Sequence, residues 1–242
     1  MKQTEINNSN IIRKIIKSDF DKFQNDTQHI FYILKVMLRS KDGAADTDTI
    51  IYTRTINTIY EYDKYVKKAI ELAEKTNGRV YLSISPKNKE LALLKVAQEF
   101  IKINVEHLIF EKPIENIVYD VSSRSGLSVE PRVIFDFDIN DNNDIDTVIK
   151  FFNNLKDKYN LNYYHFTKTV NGFHIISDLS FDFFKDEVLS LIDDKLKDIL
   201  KRSFLEDNHL TELPTNIRTR RLLSNTMHKD SGNALIFYKL TK

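Results

Sequence analysis

The chain has 242 residues, 41% hydrophobic and 29% charged, with 16 Phe and 11 Tyr against 5 Gly and 4 Pro. This suits one large folded domain or two closely packed half-domains and argues against long disordered stretches. Net charge is +1 and cysteine is absent, which excludes disulfides, thiolate zinc sites and cysteine nucleophiles, and leaves any grip on nucleic acid to local basic patches.

The start, MKQTEINNSN, is polar and lacks the apolar segment of a signal peptide. No apolar run approaches the roughly 20 residues needed to cross a bilayer. Together with the missing cysteines this predicts a soluble, cytoplasmic protein without a membrane partner. Richness in Asn, Ile and Lys suits a low-GC genome such as that of a phage or its bacterial host.

In chain order, Ile11, Ile12, Ile15 and Ile16 recur at helical spacing, which predicts an amphipathic helix reaching about Phe23. His29–Leu38 is apolar and β-rich, Arg39–Gly43 reads as a turn, and Thr49–Ile56 is a second strand. A helix over 58–76 stops at Asn77-Gly78. Arg79–Ser85 is a third strand, and a further helix runs over 88–103. This half is therefore ββαβα, and the irregular stretch 104–132 is a crossover to the next half.

Arg132–Ile139 (RVIFDFDI) is a strand and Asp144–Tyr159 a helix with Val148, Ile149, Phe152 and Leu155 on one face. Asn162–Thr169 and Phe173–Ser177 form a hairpin turned at Asn171-Gly172. A long helix is expected over Asp182–Ser203, and strands over Arg218–Met227 and Ala234–Leu240. The order β-α-β-β-α-β predicts a split βαβ unit: a mainly antiparallel sheet with both helices on one face.

Asp136 and Asp138 lie two apart in an apolar strand, so both side chains should leave one face. Two adjacent carboxylates repel, and a bound divalent cation removes that cost. Oxygen ligands suit Mg²⁺ or Mn²⁺, which would also hold nucleotide phosphates. Val133, Phe135, Phe137 and Ile139 then point into the core. The bland alternative is a pair of solvent-facing strand residues, although Asp is depleted in strands. A dehalogenase-type phosphatase strand is disfavoured because Ile139-Asn140 follows the second Asp. An EF-hand fails where Asp141 replaces the turn Gly and Thr147 the bidentate Glu.

In the run Thr167–Ile176 (TKTVNGFHII), His174 follows the tight turn and can share the face of the aspartates. An imidazole there can donate to a triphosphate oxygen. The strand FDFD followed by NGFHII resembles the archaeo-eukaryotic primase (primase-polymerase) superfamily. That family carries an hhhDhD/E strand and then a small-x-His strand within this element order. The likeness covers about 130–242.

The resemblance implies a primase-polymerase-like α/β fold in which an N-terminal unit, 1–130, packs on a C-terminal RRM-like unit, 131–242, with the active cleft between them. It further implies that Asp136 and Asp138 bind catalytic Mg²⁺ or Mn²⁺ and that His174 contacts the incoming nucleotide. The expected partners are NTP or dNTP, single-stranded DNA or a primer-template, and a helicase or other replication protein. The family's third motif, an acidic residue on a late strand, is missing. Asn225 or Thr226 stands at that position, with Glu212 before it and Asp230 after it as substitutes. Two functions are therefore open: a DNA primase/polymerase-like nucleotidyltransferase, or a catalytically silent nucleotide- or nucleic-acid-binding descendant with a regulatory or counter-defence role in phage.

Arg218, Arg220 and Arg221, with His228 and Lys229 nearby, form the best basic cluster for positioning phosphates. A charged strand edge guarding against aggregation is the competing reading. Lys168, in the hairpin beside His174, has a comparable claim to bind nucleotide. Arg79 and Lys87 bracket the third strand and are candidates to lend charge to the cleft. No P-loop, dinucleotide fingerprint or nucleophile elbow is present.

Overall fold

The structure is a computed structural model. It describes residues 5–23, 29–105, 118, 120–122, 125–139, 141–161, 164–178, 181–208, 210–214, 217–229 and 232–239. The chain divides into two compact units, Met1–Pro131 with Asn233–Lys242, and Arg132–Gly232. Both are built from antiparallel sheets and helices. Among the described residues no helix is long and apolar enough to cross a membrane.

The first unit contains β1 (Glu5–Asn7), α1 (Ser9–Phe23), β2 (Ile30–Leu38), β3 (Thr49–Ile56), α2 (Ile59–Thr76), β4 (Arg79–Ser83), β5 (Lys87–Asn88) and α3 (Lys89–Val105). The expected ββαβα order is present in β2, β3, α2, β4 and α3. Local chemistry sets the ends of α2. The Thr58 side chain accepts the Glu61 N–H, and the Glu61 carboxylate in turn accepts the Asn57 N–H at 2.7 Å. Asn77 closes the helix in the left-handed region at φ 54°.

The last strand, Asn233–Lys239, departs from expectation. It joins the first unit's sheet, whose strand order is β1-β10-β4-β2-β3 when this strand is numbered β10. Its register runs from Asn233↔Ser83 to Tyr238↔Arg79 against β4, and β1 pairs along its other side. The final segment thus belongs to the first unit, where it fills the gap between β1 and β4. Arg79, a candidate to lend charge to a ligand, is committed here. Its guanidinium grips Asp42 with two hydrogen bonds of 2.6 and 2.5 Å and lies 4.7 Å from the Tyr238 ring centre.

The second unit contains β6 (Arg132–Phe137), α4 (Asn142–Tyr159), β7 (Tyr164–Lys168), β8 (Phe173–Asp178), α5 (Asp186–Leu189), α6 (Asp194–Asp207), α7 (Thr219–Asn225) and β9 (Met227–Lys229). Its sheet order is β7-β8-β6-β9, antiparallel throughout, which is the split βαβ arrangement read from the element order. Val133, Phe135, Phe137, Phe173 and Ile175 on one sheet face pack with Val148, Phe152 and Leu155 of α4 and Leu196, Ile199 and Leu200 of α6.

Two expected elements differ. The helix over Asp182–Ser203 is broken, because the Asp193 carboxylate accepts the Leu196 N–H at 2.8 Å and caps a new helix. The strand expected over Arg218–Met227 is mostly helix α7. Adjacent Leu222 and Leu223 are both buried, whereas neighbours in a strand point to opposite faces.

Candidate functional site

The face of the second sheet turned away from α4 and α6 carries the candidate chemistry. Register places His174 of β8 directly across from Asp136 of β6, with Thr167 of β7 across from His174 on its other side. One row thus reads Thr167–His174–Asp136 over three strands. His174 Nε2 lies 3.2 Å from Asp136 Oδ1, an electrostatic contact out of line for a good hydrogen bond. The imidazole is 12% exposed and the carboxylate 36%, so the aspartate is the part of the row that solvent reaches.

Asp138 is positioned differently from Asp136. β6 ends at Phe137, and Phe137 O accepts the Ile139 N–H at 3.0 Å, making a tight turn centred on Asp138. Phe137 and Ile139 both enter the core while Asp138 is partly exposed. Strand alternation, which was to have carried both carboxylates, therefore stops one residue short.

The β7–β8 turn braces this segment. Thr169 N donates to Gly172 O at 2.9 Å, with Val170 and Asn171 at the tip. Gly172 does not adopt a positive φ. It is needed for space: a Cβ there would lie 1.9 Å from Phe137 O and 2.6 Å from Ile139 N. The Asn-Gly pair marks a hairpin as expected, yet the glycine serves close backbone approach rather than turn conformation.

Of the two residues expected at the late-strand position, Asn225 ends α7 and Thr226 lies directly before β9. Its carbonyl accepts the Asp136 N–H at 2.7 Å, and its hydroxyl donates to Leu223 O at 2.9 Å. Glu212 is exposed in a loop, and Asp230 lies outside the described residues. Among the described residues no group of three or more His, Cys, Asp or Glu side chains is arranged to hold a metal ion.

The arginines of the basic cluster lie on and just before a helix rather than on the expected strand. Arg218 precedes α7, and Arg220 and Arg221 lie on it; all three are exposed. Arg220 is partly engaged, donating to Phe184 O at 2.7 Å. Helix α7 does lead through Thr226 to the backbone of Asp136. Lys229 pairs in register with Val133. Lys168 pairs with Phe173, a core residue, and so belongs to the strand positions of the opposite face from His174. Lys87 is buried in the first unit.

Two residues of this face went unnoticed in the sequence. Arg132 is fully buried and shares the alternation of Asp136, while a strand-end arginine reads as solvent-facing. Thr167 is fully buried, and counting back from a hairpin closed by Thr169 and Gly172 would have set it opposite His174. No family model matches this chain, and no curated protein or solved structure does either.

Proposed function

We propose that the second unit holds a metal-dependent nucleotide site and that the chain is a primase-polymerase-like nucleotidyltransferase, acting on NTP or dNTP with a nucleic-acid template. The observation that carries this reading is the direct cross-strand placement of His174 beside Asp136, at 3.2 Å, on the sheet face opposite the core. The donors fit Mg²⁺ or Mn²⁺ better than a fully caged ion. Asp136 and Asp138 supply hard oxygens, and Mg²⁺ is commonly held by one or two carboxylates together with substrate phosphates and water. A bound cation would supply charge neutralisation for the triphosphate. Asp136 and Asp138 would hold it, His174 would donate toward a phosphate oxygen, and α7 would offer Arg218 and Arg221.

A second reading has its own support. Thr226 stands where a third carboxylate would complete the ligand set, which favours a silent descendant that binds nucleotide or nucleic acid without joining it.

Incubating the protein with Mn²⁺, labelled NTPs or dNTPs and single-stranded template, beside Asp136→Ala, separates the two. Polymer made by the parent alone supports the enzyme. Mn²⁺-dependent nucleotide binding without product, lost in Asp136→Ala, supports the binding protein. If neither product nor Mn²⁺-dependent binding is detected, both readings fall.

A further inference from the structure

Beside the proposed cation site, two residues directly across from each other in the sheet each carry a buried polar atom without a hydrogen-bond partner. Thr167 is fully buried and its Oγ1 has no partner; His174 Nδ1 is buried and likewise has none. They belong to residues directly opposed in the β7–β8 register. Native proteins seldom leave such groups unmatched, and a hydroxyl can rotate to suit whichever role its neighbour requires.

On its other edge the imidazole presents Nε2 to Asp136. A carboxylate accepts hydrogen bonds and cannot donate when ionised, so the proton of a neutral His174 belongs on Nε2. Nδ1 is then a lone pair in need of a donor, and Thr167 is the hydroxyl that the register brings to it.

We propose that Thr167 is a positioning residue whose hydroxyl donates to His174 Nδ1, holding the imidazole in the Nε2–H tautomer with Nε2 beside Asp136 Oδ1. Held this way from behind, as outer partners commonly hold groups at metal sites, His174 would keep its one proton on Nε2, beside the carboxylate and available to a phosphate oxygen. It deepens the proposed function without depending on turnover, because the tautomer is a property of the protein alone. No proton is transferred and no bond is made or broken.

The test uses the whole chain, free of metal and nucleotide, with nitrogen-15 in its histidines, at a pH where His174 is neutral. Thr167→Val removes the hydroxyl at nearly constant shape, and Thr167→Ser restores it. In the parent and in Thr167→Ser, Nδ1 should resonate as a hydrogen-bonded acceptor and Nε2 as the protonated nitrogen. In Thr167→Val, Nδ1 should move to the position of an acceptor without a donor. An Nδ1 signal unchanged by Thr167→Val, or a parent protonated on Nδ1, overturns the proposal.

A second readout connects it to function. Mn²⁺ affinity, followed by paramagnetic broadening, should fall several-fold in Thr167→Val and recover in Thr167→Ser. If the parent binds no Mn²⁺ while the nitrogen signals behave as expected, the metal reading fails and the Thr167 contact stands.

Discussion

At the scale of single residues, the candidate site depends on backbone closeness as much as on charge. Gly172 touches the carbonyl of Phe137 and the amide of Ile139, which flank Asp138. Neither backbone atom can swing away as a side chain could. Gly172→Ala should therefore lower stability by about 2–3 kcal/mol, near the upper end for overpacked sites, and should weaken Mn²⁺ binding together with it. Urea unfolding followed by circular dichroism measures the first effect. An alanine variant as stable as the parent would show that the close approach is relieved at little cost.

Lys35 illustrates the opposite case, a buried charge whose Nζ lies 6.0 Å from the centre of the Tyr81 ring. It is 8% exposed on β2, and burial, helped by the positive charge of Arg39, holds its amine below the ordinary lysine range. In the unfolded chain the amine titrates near its usual value of about 10.4. Between the folded and unfolded values the unfolded state holds the extra proton, so stability rises with pH through that window. Below the folded value the penalty stands in full. Lys35→Met should consequently unfold at higher urea than the parent at pH 7, with the difference shrinking as pH approaches the unfolded value. A less stable variant at pH 7 would contradict this.

At the scale of elements, capping decides where helices begin, and the caps are local. Asp141 accepts the amides of Asn143 and Asp144 and so starts α4, which explains this residue without calcium chemistry. Asp193 does the same for α6 and breaks what periodicity had drawn as one helix. Asp193→Ala should cost about 1 kcal/mol and let amides at the start of α6 exchange faster, while those of α4 are unaffected. Hydrogen exchange resolves the two helices. The apolar spacing of Val188, Leu196, Ile199 and Leu200 was visible from the start, and all four are buried. Hidden within it was the competition between a short acidic side chain and continued helix. Helix α7 replaces the strand expected over Arg218–Met227, and its adjacent buried pair Leu222-Leu223 fits a helix better.

At the scale of the whole molecule, the two units share a chain that leaves the first and returns to it. β10 is hydrogen-bonded on both sides, and Ala234–Tyr238 are buried. The second unit's core cluster contains none of these residues. Deleting 233–242 should abolish cooperative unfolding of the first unit, which loses a central strand, and should leave the second unit's exchange-protected amides in place. Loss of protection in both units alike would show that they fold as one.

The alternation in RVIFDF, the helical spacing of 142–159 and the turn at 169–172 are properties of neighbouring residues, and each could be read along the chain. So could the placing of Asp136 and His174 on the strand faces opposite their apolar neighbours Phe135, Phe137, Phe173 and Ile175. Which strand lies beside which is a different kind of fact. The insertion of β10 between β1 and β4, the burial of Thr167 and Arg132, and the presence of Thr226 opposite Asp136 all depend on contacts between segments distant in sequence. Periodicity is a local signal and carries no information about partners, whose choice rests on long-range closure and packing.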